Sequence, residues 1–105
     1  MNKVKQRKEL AKIIQKEKQS GKKVVMANGC FDLLHGGHVS YLESAAQCGD
    51  ILVVAVNSDK SIKELKGEKR PVYPEEERLE ILGAIEFIDY LIVFEEDSVD
   101  QLLRD

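Results

Sequence analysis

Apolar positions along this chain recur at two spacings, and the switches between them mark out the elements. Between residues 3 and 18, Leu10, Ile13 and Ile14 fall at helical spacing among Lys, Gln and Glu. That pattern predicts a surface helix with one narrow apolar stripe, ended by Ser20 and Gly21. The run KKVVMA, residues 22–27, then reads as a short buried strand. From His38 to Cys48 the spacing is helical again, with Leu42, Ala45 and Ala46 on one face and Gly49 where a left-handed cap is expected. ILVVAV, residues 51–56, is the clearest strand, and its unbroken hydrophobicity implies burial on both faces.

A polar connection follows, with one short helical turn around residues 61–65. Pro74 then opens a helix over EEERLEILGAIEFI. Glu75, Glu76 and Glu77 suit the positive end of that helix dipole and need no metal to explain them. YLIVF, residues 90–94, is a third strand, and DSVDQLLRD begins a last helix with Asp97 or Ser98 as its cap. The order is therefore α-β-α-β-α-β-α. Strands alternating with helices predict a Rossmann-like, three-layer α/β/α fold with a parallel sheet, whose ligands gather at the carboxyl ends of the strands.

Composition narrows the class without changing this layout. A chain of 105 residues, 43% hydrophobic and 33% charged, holds one globular core. No apolar run reaches the roughly 20 residues of a membrane helix, and the Lys-rich start lacks an apolar signal segment, so a cytoplasmic protein without a membrane partner is expected. Cys30 and Cys48 read as free thiols. Residues 1–23 carry nine Lys or Arg against two Glu, whereas residues 24–105 carry seven basic against seventeen acidic residues. Such an acidic body argues against a nucleic-acid partner and requires locally focused donors for any anionic ligand.

Those donors have one obvious location, the stretch NGCFDLLHGGHVSYLE after the first strand. Asn28-Gly29 would suit a hairpin, but a helix follows where a second strand would have to lie. Gly29 instead suits close approach of a ligand to the strand end. His35 and His38 as a metal pair would need a further ligand from Cys30 or Asp32, and their spacing matches no zinc pattern. Anion chemistry fits better. Gly36, Gly37 and His38 stand in the first turn of a helix, where free N–H groups and the dipole favour phosphate, and two imidazoles can donate to the same group.

At this point a resemblance becomes specific. GCFDLLHGGH is similar to the H-x-G-H signature of the cytidylyltransferase-like nucleotidyltransferase superfamily. With GDILVVAVNSD and LKGEKRPVYPEEERLEIL in order behind it, the chain most resembles the adenylyltransferase domains of the ADP-heptose synthase family, over residues 22 to about 98. The resemblance implies transfer of AMP from magnesium-bound ATP to a sugar 1-phosphate, a heptose 1-phosphate, with release of pyrophosphate. A cytidylyltransferase for a polyol phosphate such as glycerol 3-phosphate, or a nucleotide-binding module without turnover, are the alternatives.

By position, the resemblance implies that His35 and His38 stabilise the transition-state phosphate and that Gly29, Cys30 and Phe31 line the nucleotide loop. Asp32 would hold that loop in shape as a local turn residue. Lys66 and Arg78 would reach the phosphates, although Lys66 is also readable as a solvated lysine. Arg78 sits in an acidic first turn, where a cation needs a phosphate or a carboxylate to hold it. Asn57 and Asp59 would face the acceptor, with a capping Asx turn as the equal alternative. Cys30 is readable as a packed small residue. Leu79, Ile81, Leu82, Ile85 and Ile88 cover more than one helix face, which leaves one side for a second subunit, so a homodimer is expected.

Residues 1–21 read as a basic leader helix, a fusion linker or a solvated face, and residues 22–105 as the nucleotidyltransferase domain. Members of the family continue into further strands and a late Ser/Thr-rich nucleotide loop. The domain is accordingly expected to be incomplete at its carboxyl end and to supply half of an ATP site.

Overall fold

The computed structural model describes residues 3–95. Its elements are α1 (Arg7–Gln19), β1 (Val24–Gly29), α2 (Gly36–Gln47), β2 (Ile51–Asn57), α3 (Asp59–Lys66), α4 (Glu75–Gly83) and β3 (Tyr90–Phe94). The expected last helix, with Asp97 or Ser98 as cap, lies outside the described residues. The strands form one parallel sheet in the order β1-β2-β3. Pairing of Gly29 with Val56 and of Asn57 with Phe94 brings all three carboxyl ends to one edge.

Strand alternation divides the core between the two faces of the sheet. Leu52, Val54 and Val56 of β2 pack with Ala27, Leu42, Leu82, Ile88 and Leu91 beneath α2 and α4. Val53 and Ala55 pack on the other face with Ile92, Phe94 and the fully buried Leu10 of α1. The expected three-layer α/β/α architecture is therefore present, and the basic leader forms one of its outer layers. Leu10, Ile14 and their neighbours cover apolar sheet surface, which neither a free linker nor a solvated face would do. Among the described residues no helix is long and apolar enough to cross a membrane.

Four local expectations change. The first helix begins at Arg7 because residues 3–5 run extended along β3, where the Lys5 N–H donates to the Leu91 carbonyl and the Leu91 N–H to the Lys3 carbonyl. The turn expected at residues 61–65 is a full eight-residue helix. Its start is capped by Ser58, whose hydroxyl accepts from the Ser61 N–H. The helix after Pro74 stops at Gly83 instead of running through residue 88. Turns then carry the chain to Asp89, which bonds to Leu52 at the start of β2 through both its N–H and its carboxylate. Ile85 and Ile88 consequently fill the core from a loop, and Ile81 alone of the five apolar positions stays exposed.

Gly49 is the fourth. It is not the left-handed cap; Gly21, at φ +84°, plays that part for α1. A β-carbon at Gly49 would lie 2.6 Å from Val25 Cγ2 and 2.8 Å from the Lys23 carbonyl. The turn into β2 passes too close to β1 for any side chain.

Candidate active site

The loop after β1 is shaped by two buried residues. Phe31 takes a left-handed conformation, φ +51°, and sends its ring into the core. The ring lies over Gly29, where an added β-carbon would sit 3.0 Å from two of its atoms. Gly29 thus makes room for Phe31, a reason the sequence does not disclose, and the Phe31 ring is buried. Its ring also meets His38 edge-on, with 5.7 Å between centroids.

Asp32 bonds across the fold and not, as expected, to its local turn. Its carboxylate accepts from the Tyr73 N–H at 2.9 Å, the Val72 N–H at 3.0 Å and Arg70 Nη1 at 2.9 Å. Burial alone would raise its pKa, but the two backbone donors and the arginine outweigh burial and hold the carboxyl below its ordinary value. The His loop is tied in this way to the segment before α4. Arg70, which sequence reasoning passed over, carries no distinguishing spacing; only the partner 38 residues away reveals it.

His35 and His38 form an unusual capping box at the start of α2. His35 is the N-cap, and its Nδ1 accepts from the Gly37 N–H at 3.0 Å. His38 Nδ1 in turn accepts from the His35 N–H at 3.2 Å. Imidazole thus replaces the usual hydroxyl and carboxylate of the motif. A ring nitrogen that accepts an N–H bond carries no proton, so each neutral ring keeps its proton on Nε2 as a free donor. The expected free backbone donors are therefore partly engaged, the Gly37 N–H by the His35 ring and the His38 N–H by the His35 carbonyl. The ring centroids are 4.0 Å apart. Burial, then the charges of His35 and of Lys66, lower the His38 pKa, which favours the neutral donor form.

Lys66, the last residue of α3, thus lies near enough to act electrostatically on His38, whose ring packs on that of His35. Arg78 is placed elsewhere. It is fully buried, and its guanidinium donates to the carbonyls of Tyr73 at 3.0 Å, Cys30 at 2.7 Å and Asn57 at 2.8 Å, and to Asp59 Oδ1 at 2.8 Å. Of the two partners expected for a cation in this turn, it has the carboxylate. Four of its five N–H donors face protein acceptors, which leaves its expected contact with nucleotide phosphate little capacity.

Asn57 is buried; its amide donates to Ser61 Oγ, and its oxygen accepts from the Cys30 thiol at 3.7 Å. Cys30 is accordingly a packed residue whose carbonyl matters more than its sulfur. Asp59 is partly exposed, and its N–H donates to Glu75 Oε1 at 3.1 Å. Of the two residues expected to face the acceptor, Asn57 is buried and Asp59 alone has a side chain partly open to solvent.

The site is thus an imidazole-capped helix start at the carboxyl edge of an open parallel sheet, the edge where ligands of such folds gather. The chain belongs to the cytidylyltransferase-like family, whose model matches residues 26–105. The bifunctional protein HldE of Pelobacter propionicus is 53% identical over 102 residues, spanning 97% of this chain and 21% of that protein. HldE of Yersinia enterocolitica is 55% identical over 97 residues, 92% of this chain and 20% of that protein. The chain thus spans about a fifth of the length of these curated relatives. Among solved structures, the lipopolysaccharide core biosynthesis protein of Thermoplasma volcanium superposes with a TM-score of 0.71 at 33% identity, covering 80% of this chain and 68% of that one.

Proposed function

We propose that this domain transfers AMP from ATP to a sugar 1-phosphate, specifically a heptose 1-phosphate, on the route to a lipopolysaccharide core precursor. The observation that carries the reading is the histidine capping box, which directs two Nε2–H donors away from the helix start while Lys66 adds positive charge. Similarity to HldE and to the lipopolysaccharide core biosynthesis protein supports the choice of substrate.

A phosphate oxygen of the acceptor attacks the α-phosphorus of ATP; the new P–O bond forms as the bond to the β-phosphate bridge breaks, and pyrophosphate departs. The nucleophile is already anionic, so no general base is required. The remaining task is to hold two anions together and to stabilise charge on the α-phosphate oxygens. His35 and His38 donate to those oxygens, Lys66 offsets the triphosphate, and Asp59 accepts from an acceptor hydroxyl. Among the described residues no three His, Cys, Asp or Glu side chains are grouped to hold a metal. Magnesium fits this reading as an ion brought in on the nucleotide phosphates, as it commonly is.

Protein carrying this domain, supplied with magnesium, ATP and heptose 1-phosphate, should release one pyrophosphate per ADP-sugar formed and little with other sugar phosphates. Equal rates with CTP and glycerol 3-phosphate would replace this reading by a polyol cytidylyltransferase. ATP binding in calorimetry without any turnover would reduce the domain to a nucleotide-binding module.

A further inference from the structure

The geometry points to Arg78 as a positioning residue that holds the nucleotide loop and the acceptor-side carboxylate in one frame. Three observations carry this, and the inference rests on the adenylyltransferase reading above. First, the guanidinium is fully buried and joins places far apart in sequence: the Cys30 carbonyl that begins the His loop, the Asn57 carbonyl that ends β2, and the Tyr73 carbonyl before α4. Second, among the described residues its only side-chain partner is Asp59, through Oδ1 at 2.8 Å, and that side chain is about one third exposed. Third, the segment that Arg78 holds at Tyr73 is held from the other side by Asp32 of the His loop. The loop is thus fastened at Cys30 and at Asp32, and both fastenings lead to Arg78.

One oxygen of Asp59 is turned to the arginine, and the rest of the carboxylate faces solvent. The planar fork of a guanidinium suits three carbonyls and a carboxylate at fixed angles; an ammonium cannot reproduce it. Arg78 therefore acts through Asp59 and Cys30 on the distance between the two substrates, and it touches neither substrate.

The test combines Arg78→Lys, Asp59→Asn and the double variant, in protein that carries the whole domain. Thermal melts and circular dichroism establish the folded fraction, and rates are expressed per folded molecule. We expect kcat/KM for the sugar phosphate to fall by about 10²-fold in Arg78→Lys, as a misplacement near 1 Å would cause, and comparably in Asp59→Asn, which loses the carboxylate that Arg78 positions. The Kd for ATP, measured by calorimetry without acceptor, should stay within about twofold, and the double variant should be no worse than the poorer single one. An ATP Kd weakened tenfold or more would overturn the proposal in favour of a direct phosphate contact. Unchanged kinetics per folded molecule would overturn it in favour of a merely structural arginine, and additive losses would remove the shared frame. If Arg78→Lys does not fold, Arg78→Gln, whose amide can still donate to one of the three carbonyls, takes its place under the same outcomes. Failure of the adenylyltransferase reading is separate, since it shows as an inactive parent protein.

Discussion

A single nitrogen of His35 joins structure to the proposed chemistry: by accepting from the Gly37 N–H it caps α2, and by doing so it leaves the proton of the neutral ring on Nε2, where the proposed phosphate contact needs it. The two roles separate in mutants. Asparagine can cap a helix through its side-chain oxygen but has no donor at the Nε2 position. His35→Asn should leave stability within about 1 kcal/mol while turnover falls roughly 10²- to 10³-fold, the usual cost of one lost transition-state donor. Urea melts and pyrophosphate release on the same preparation check this; turnover near that of the parent would deny the histidine its role. The histidine motif was legible in the sequence because it is contiguous. Its hydrogen-bond direction was not, since the same four residues could equally offer free backbone donors. Arg78 and Asp32 illustrate the other limit. Their residue types signalled a need for partners, but apart from the Tyr73 carbonyl five residues before Arg78 the partners lie 19 to 48 residues away and no local pattern names them.

At the scale of elements, the leader helix makes the strongest claim. Leu10 is fully buried on the sheet face opposite α2, packed with Val53, Ala55, Ile92 and Phe94. Truncation to alanine there removes packed apolar volume and leaves a cavity, so Leu10→Ala should cost about 2–5 kcal/mol. Denaturant titration measures it; a loss under about 0.5 kcal/mol, typical of a surface site, would mean that α1 does not belong to the core. The narrow stripe of this helix was visible in the sequence, yet its placement on the sheet was not. A stripe states only that something covers it. The strands were easier: β2 and β3 read correctly within a residue because runs of Val, Ile and Leu require cover on both faces whatever the neighbours are. The helix after Pro74 was read too long because Ile85 and Ile88 keep helical spacing while the backbone leaves the helix for Asp89 and its bonds to Leu52.

For the whole molecule, two shifted groups among the described residues bear on how stability should follow pH. Both Asp32 and His38 titrate lower in the folded state than unfolded. The unfolded chain therefore takes up protons first as pH falls, and each contribution, complete above the ordinary value, is lost on the way down to the folded one. Loss should begin below about pH 6.5 through His38 and deepen below about pH 4 through Asp32. Urea midpoints measured from pH 8 to pH 3 report both stages, and His38→Gln should erase the upper one. A midpoint constant from pH 7 to 5 in the parent protein would contradict it.

What the sequence determined by itself is what neighbouring residues can encode: the alternation of strands and helices, the parallel sheet that follows from buried strand runs, and the Gly- and His-rich start of α2 at the end of β1. Tertiary structure alone decided that α1 is an outer layer of the fold, that Gly49 and Gly29 yield space to Val25 and Phe31, and that Arg78 binds carbonyls and Asp59. The physical reason is range. Periodicity and dipoles act within a few residues, whereas close approach and the satisfaction of a buried charge depend on which distant segments the folded chain brings into contact.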